Sequence, residues 1–234
     1  MRDKTSLVDM PSRTAPFASG VQGQDDLVSA GPEAGQWLVC GYFPPDYRHW
    51  AETLALSLRL NNAPYHLFAT TKAGTWEANS RQKPAAILNA MDLYPDKVIV
   101  WLDVDCQVLG DLSPLADLRA DVAAYTRTRQ PKWRRRQRFL VKSGTMVFKP
   151  SEAARAFVNE WSRNVTRAQP WDSDQHSLLK TFGEMSGVTF QRLPHTWCTV
   201  VGERHAEGKP IIQHASAARE HTKPWKLIAK VLMK

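Results

Sequence analysis

The chain has 234 residues, 43% hydrophobic and 23% charged, enough for one sizeable core and ordinary for a folded domain. No apolar run reaches the roughly 18 to 20 residues that a membrane helix needs, and Met1–Ser6 leads into no apolar segment of a secretory signal, so a cytoplasmic chain is expected. The net charge of +8 fits an anionic partner, such as a nucleotide, phospholipid, lipopolysaccharide core or nucleic acid, and the three distant cysteines, Cys40, Cys106 and Cys198, argue against a disulfide framework and for a reducing compartment.

Residues 1–36 read as a tail of Gly, Pro, Ser, Ala, Gln and Asp with no sustained period. The ordered domain opens at 37–42 as a strand. Phe43-Pro44-Pro45-Asp46 turns the chain into a helix over about 47–60, where Tyr47, Ala51, Leu54 and Leu58 share one face. Asn61-Asn62-Ala63-Pro64 stops it, and 65–69 is a second strand. A β-α-β unit of this kind implies parallel strands.

A helix is expected over 80–94, with Ile87, Leu88 and Met91 inward. Then comes Lys97-Val98-Ile99-Val100-Trp101-Leu102-Asp103-Val104-Asp105. The continuous apolar run reads as a strand buried on both faces. It ends in two carboxylates, each of which needs a partner away from water. Ligands of open α/β sheets sit at the carboxyl ends of the strands, and two hard oxygen ligands there suit Mg²⁺ or Mn²⁺, and with it a diphosphate. The alternative is that Asp103 caps a turn and Asp105 is solvated. A short helix is expected across Leu112–Leu118, and 122–126 is a further strand.

Arg127 to Lys142 carries eight basic residues, with Trp133 and Phe139 among them. It reads either as a solvated loop or as a loop over an anionic substrate. No helix-turn-helix, zinc-finger or ribonucleoprotein pattern supports nucleic acid. A strand follows at Ser143-Gly144-Thr145-Met146-Val147-Phe148, where Gly144 lets backbone approach a ligand. Ser151 is the expected N-cap of a helix with Ala154, Phe157, Val158 and Trp161 inward. Trp171-Asp172-Ser173-Asp174-Gln175 precedes another helix, with Leu178, Leu179 and Phe182 inward and Gly183 at its end. Either Asp172 caps it with Gln175 as capping-box partner, or Asp174 and Gln175 enter a site. Short strands are expected at 188–190, 197–200 and 210–213, the last ending at His214 as a candidate third metal ligand. Residues 226–234 are expected to form a basic amphipathic helix, with Lys226, Lys230 and Lys234 in step. It either packs on the domain or contacts anionic lipid at a membrane face.

Taken in order over about 37–225, these motifs resemble the GT-A glycosyltransferases, above all the glycogenin and lipopolysaccharide galactosyltransferase group and related nucleotide-diphospho-sugar transferases. The resemblance implies a single α/β domain with a Rossmann-like, mostly parallel central sheet flanked by helices. It implies transfer of a sugar from a nucleotide-sugar donor, a UDP-sugar, to an acceptor hydroxyl of a glycan, lipid-linked sugar or protein, with retention at the anomeric carbon. Asp103, Asp105 and His214 would hold Mn²⁺ or Mg²⁺, and Lys223 would contact the diphosphate. Asp174 and Gln175 would face the donor sugar, Tyr47 would stack in a base pocket at 42–47, and Lys83 or Arg81 would reach the donor. An inverting enzyme would use Asp172 or Asp174 as base. The family's last motif runs His, two residues, Gly, two residues, Lys-Pro-Trp. Here His214 stands further from Lys223, no Gly intervenes and His221 competes for the ligand role. Two rivals remain at this point. One is a nucleotidyltransferase forming NDP-sugars, disfavoured because Phe43-Pro44-Pro45-Asp46 stands where a Gly-rich basic loop would be. The other is a non-catalytic basic module for nucleic acid or anionic lipid.

Overall fold

The structure, a computed structural model, describes residues 23–32, 35–129, 138–203 and 208–215. Its strands are β1 (Leu27–Val28), β2 (Trp37–Phe43), β3 (Tyr65–Ala69), β4 (Val98–Leu102), β5 (Cys106–Val108), β6 (Val122–Arg129), β7 (Arg138–Phe148), β8 (Phe190–Arg192), β9 (Thr199–Val200) and β10 (Ile212–His214). The helices are α1 (Arg48–Leu60), α2 (Trp76–Ser80), α3 (Lys83–Leu93), α4 (Glu152–Thr166) and α5 (Asp174–Glu184).

Seven strands form one sheet in the order β1-β3-β2-β4-β7-β6-β8, and β5-β10-β9 form a second, smaller sheet. The expected parallel β-α-β unit is present: β2 pairs in parallel with β3 and with β4. The large sheet is mostly parallel in strand direction, as expected: β3, β2, β4, β6 and β8 run one way, while β1 runs antiparallel to β3 and β7 antiparallel to both β4 and β6. A long hairpin joins β6 to β7, and a hairpin can only pair its strands antiparallel.

β4 shows why its sequence is apolar throughout. Val98, Val100 and Leu102 belong to one core, with Leu54 and Leu58 of α1. Ile99 and Trp101 belong to the other, with Ile87 of α3, Phe157 and Trp161 of α4 and Leu178 of α5. The period of two therefore feeds both faces of the sheet. Trp101 and Trp161 are fully buried.

Several boundaries differ from the sequence expectation for identifiable reasons. The helix expected over 80–94 starts at Lys83, with Pro84 in the first turn of α3, where its missing N–H costs nothing, and a separate short helix, α2, precedes it. Part of the expected tail is structure: Leu27 and Val28 pair with Leu67 and His66. Asp26 fastens that segment, its carboxylate 2.8 Å from His66 Nε2 and accepting the Ala69 N–H at 2.7 Å. α1 ends as expected, with Asn62 at φ 52° and the Ala63 N–H returning to Leu58 O at 3.0 Å. Ser151 caps α4 as expected, accepting the Ala154 N–H at 3.1 Å. The expected C-terminal helix at 226–234 and the centre of the basic segment, 130–137, lie outside the described residues. Among the described residues no helix is long and apolar enough to cross a membrane.

Candidate active site

A cleft of about 480 Å³ opens at the carboxyl ends of β2 and β4, and Tyr47, Lys83, Asp103, Asp105, Asp174, Gln175 and His214 all line it. Residues far apart in the chain meet here because the sheet brings them to one edge. Asp103 continues the face of β4 that carries Ile99 and Trp101, so it points toward α3 and meets Lys83 from that helix's first turn.

Lys83 is the centre of the arrangement. Its side chain is 4% exposed, and its Nζ lies 2.8 Å from Asp103 Oδ1 and 2.8 Å from Asp174 Oδ2. It also donates to Ser143 Oγ at 3.0 Å. Burial alone would strip the charge from Lys83. The Asp103 and Asp174 carboxylates outweigh it and hold the ammonium charged, above the usual lysine range. Burial pushes the Asp103 carboxyl up, with Lys83 opposing and Asp105 and Asp174 repelling. The Asp174 contact is an ion pair without hydrogen-bond alignment, since Oδ2 has no hydrogen-bond partner among the described residues.

The antiparallel pairing of β4 with β7 sets Leu102 opposite Thr145, and the Asp103 N–H donates to Gly144 O at 2.9 Å. A Cβ on Gly144 would stand 2.8 Å from His214 Cε1, 3.1 Å from His214 Nδ1 and 3.3 Å from Asp103 Oδ2. Glycine there makes room for an imidazole and a carboxylate to share one small space. His214 arrives from the second sheet, where it is the register partner of Cys106, the residue after Asp105. Its Nε2 is hydrogen-bonded to Thr145 Oγ1 at 2.9 Å, and its Nδ1 is 3.9 Å from Asp105 Oδ1. Burial would lower the imidazole; Cys198 and Asp105 outweigh it and raise it to about 10.

Among the described residues no three His, Cys, Asp or Glu side chains stand as a group that could hold a metal ion. Asp103 is instead drawn to Lys83. The donor chemistry still suits a hard divalent cation, with the Asp103 carboxylate and the His214 imidazole beside Gly144 and Asp105 3.9 Å from that imidazole.

At the other end of the cleft, Tyr42 and Tyr47 line the wall that follows β2. The Tyr42 hydroxyl donates to Asn79 O at 2.6 Å, fastening α2 over the cleft. Lys72 and Asp46 pair at 2.7 Å among the lining residues. Arg81 is not part of the lining; its Nη1 donates to Gln169 O at 2.8 Å. Of Arg81 and Lys83, it is Lys83 that lines the cleft. The capping of α5 also differs from expectation. Ser173 is the cap, and its N–H donates to His176 Nδ1 at 3.3 Å. Gln175 is thereby left to the cleft, while Asp172 accepts the Gln169 N–H at 3.1 Å. Lys223 and His221 lie outside the described residues. Ser143, Thr145 and Cys198 are site residues that sequence reasoning missed. The Ser-Gly-Thr triplet within β7 was the available signal, since its two hydroxyl residues flank the glycine that lies beside Asp103.

The profile of the nucleotide-diphospho-sugar transferases matches residues 72–224, more than half of the chain. No curated protein matches it in sequence. Among solved structures, the bifunctional glycosyltransferase WbbM superposes with a TM-score of 0.55 at 15% identity, over 78% of this chain and 46% of its own. A glycosyltransferase involved in glycosylation of the major capsid of PBCV-1 gives 0.55 at 14% identity, over 80% of this chain and 100% of its own. GlyE of Streptococcus pneumoniae TIGR4 gives 0.50 at 15% identity, over 81% and 57%. The chain thus spans about half the length of the first of these and the whole of the second, and likeness at such identity speaks for the fold. The GT-A fold and the matched profile agree: the chain belongs to the nucleotide-diphospho-sugar transferase family of glycosyltransferases.

Proposed function

We propose that this chain transfers a sugar from a UDP-sugar to an acceptor hydroxyl, with retention at the anomeric carbon and with Mn²⁺ or Mg²⁺ as cofactor. The observation that carries the reading is the buried Lys83 ammonium held between Asp103 and Asp174 at the floor of the cleft. A cation fixed there, beside two more carboxylate and imidazole groups, suits a donor whose leaving group is a diphosphate.

Tyr47 stacks on the base at the β2 end. Asp103, Asp105 and His214 would hold the divalent cation, which when bound neutralises charge on the leaving diphosphate. Lys83 orients Asp103 and Asp174 and adds positive charge on the same side. Gln175, exposed in the cleft, faces the donor sugar from the first turn of α5. Asp174 is committed to Lys83, which favours retention over proton abstraction by that carboxylate. Lys223 would contact the diphosphate, as the resemblance implies.

Calorimetric titration of UDP, GDP, CDP and ADP, each with Mn²⁺ and again with EDTA, tests the reading. UDP binding only with the metal is expected. Equal binding in EDTA would overturn the cofactor assignment, and no nucleotide binding in either condition would overturn the donor assignment.

A further inference from the structure

Beyond Asp103 and Asp105, on the side away from Tyr42 and Tyr47, lies a group of charges to which the donor reading gives no role. In the sheet order, β2 lies on one side of β4, and β7 and β6 lie on the other. A donor running from the β2 end to the carboxylates leaves the β7–β6 side for whatever receives the sugar.

Lys142 of β7 lines the cleft there. It is the register partner of Tyr125 on β6, and Arg127, two residues on, belongs to the same face of the ladder. Arg127 Nη1 stands 3.6 Å from Glu203 Oε1, and Glu203 Oε2 is 3.2 Å from His195 Nε2. The Glu203 N–H donates to Val200 O at 2.9 Å, so this group sits on the turn directly behind a wall of the cleft. Burial would raise the Glu203 carboxyl; His195, Lys142 and Arg127 together hold it low. The cluster thus sets two cations against one carboxylate.

Arg127 is under-used. Its Nε is buried with no hydrogen-bond partner among the described residues. Its contact with Glu203, at 3.6 Å, is beyond hydrogen-bond reach. A guanidinium offers five donors in a fork that matches a carboxylate or phosphate. Its neighbour Arg192 is engaged on the Tyr125 ring, 5.8 Å from the centroid, and Tyr125 in turn lies 5.1 Å from the His195 ring. Those contacts fix the floor of the cluster.

We propose that Arg127 and Lys142 form a subsite for an anionic group, a phosphate or a carboxylate, carried by the sugar acceptor, and that this anion displaces Glu203 from Arg127. The inference rests on the donor reading above, which assigns the opposite end of the cleft to the nucleotide. It names the acceptor class as a charged glycan or phosphorylated sugar.

The test is calorimetric titration of the full chain with glucose, glucose 6-phosphate and glucuronate, with and without saturating UDP and Mn²⁺. Both anionic sugars are expected to bind at least about tenfold more tightly than glucose. Arg127→Gln and Lys142→Gln should each remove that preference while leaving UDP affinity within about twofold. Glu203→Gln, which removes the competing carboxylate, should strengthen it. Arg127→Lys keeps the charge and replaces the Gln variant should that one fail to fold; it should weaken the preference by losing the fork. Equal binding of the three sugars would overturn the inference, whether or not UDP binds. A preference for UDP-glucuronate over UDP-glucose that Arg127→Gln abolishes would move the subsite to the donor and overturn the acceptor assignment. Failure of UDP itself to bind the unaltered chain would strike the donor reading instead, so the two failures are distinguishable.

Discussion

Replacing Lys83 with Met should destabilise the protein by about 3–5 kcal/mol, the usual cost of stripping one partner from a buried ion pair. The two carboxylates do not share that cost equally. Asp174 is 4% exposed and keeps no hydrogen bond at Oδ2 among the described residues, so without Lys83 it is left as a bare buried charge. Asp103 is 33% exposed and opens on the cleft, so water can take over from the ammonium. Its share is screened to about 0–1 kcal/mol. The asymmetry gives a double-mutant cycle a definite sign. Lys83→Met with Asp174→Asn should recover about 2 kcal/mol or more of the loss, whereas Lys83→Met with Asp103→Asn should recover less than about 1 kcal/mol. Urea unfolding at pH 7 in EDTA, followed by circular dichroism, measures all the terms without interference from metal or donor. A Lys83→Met cost below about 1 kcal/mol, or equal recovery from the two partners, would refute the claim that the buried pair with Asp174 dominates.

Further outcomes follow from single contacts. Gly144→Ala places a Cβ 2.8 Å from His214 Cε1 and 3.3 Å from Asp103 Oδ2. It should cost about 1–3 kcal/mol and weaken Mn²⁺-dependent UDP binding at least about tenfold by calorimetry; unchanged UDP binding would mean that His214 and Asp103 do not act together. Asp26→Ala removes the partner of His66 and of the Ala69 N–H. It should cost about 2–4 kcal/mol by urea unfolding, since it leaves buried donors unpaired, while leaving UDP affinity unaltered. Asp121 accepts the Thr189 hydroxyl at 2.5 Å and the Ser151 hydroxyl at 2.7 Å, and these hydrogen bonds hold its carboxyl below the usual range. A carboxyl lowered on folding stabilises above its unfolded value, near pH 4, and that stability disappears as pH falls through the lowered folded value. Asp121→Asn should therefore cost about 0.5–1 kcal/mol at pH 7, discounted for its exposure, and progressively less toward pH 2. A cost independent of pH would show that the carboxylate's charge is not what the two hydroxyls recognise.

Much of the fold was legible because its signals are local. The apolar run of β4, the stop at Asn61–Pro64 and the Ser151 cap each depend on a few neighbouring residues. What was not legible depends on contacts across the chain. Leu27 and Val28 show no periodicity of their own; the Asp26 bonds to His66 and the Ala69 N–H, together with the pairing to β3, reveal why that segment belongs to the sheet. The same holds in the site. Asp103 and Asp105 stand out in sequence, whereas Ser143 and Thr145 look like any small polar residues until β7 is paired with β4. Lys83 and Arg81 are two residues apart on one helical stretch in the sequence. The break between α2 and α3 separates them, with Lys83 lining the cleft and Arg81 tied to Gln169 O.

The register of the small sheet explains how a histidine more than a hundred residues downstream reaches the carboxylates. The chain passes from Asp105 straight into β5, and β5 pairs antiparallel with β10, so that Cys106 is opposite His214. The Ala215 N–H then donates to Asp105 O at 2.7 Å, closing the ladder at the second carboxylate. Because strand side chains alternate with a period of two, a slip of one residue in β10 would turn His214 to the other face. Ile212, fully buried, and Gln213, half-buried, resist that slip, since exchanging them would bury an amide and expose an isoleucine. The imidazole's position is thus set by the packing of its own strand rather than by the carboxylates it faces. It follows that Ile212→Gln, which weakens this register without touching a site side chain, should reduce Mn²⁺-dependent UDP binding. Ile212→Val, which keeps the pattern, should leave UDP binding within about twofold and cost only about 0.5–1.5 kcal/mol of stability. Parallel loss in both variants would mean that packing volume at Ile212, and not the alternation, holds His214 in place.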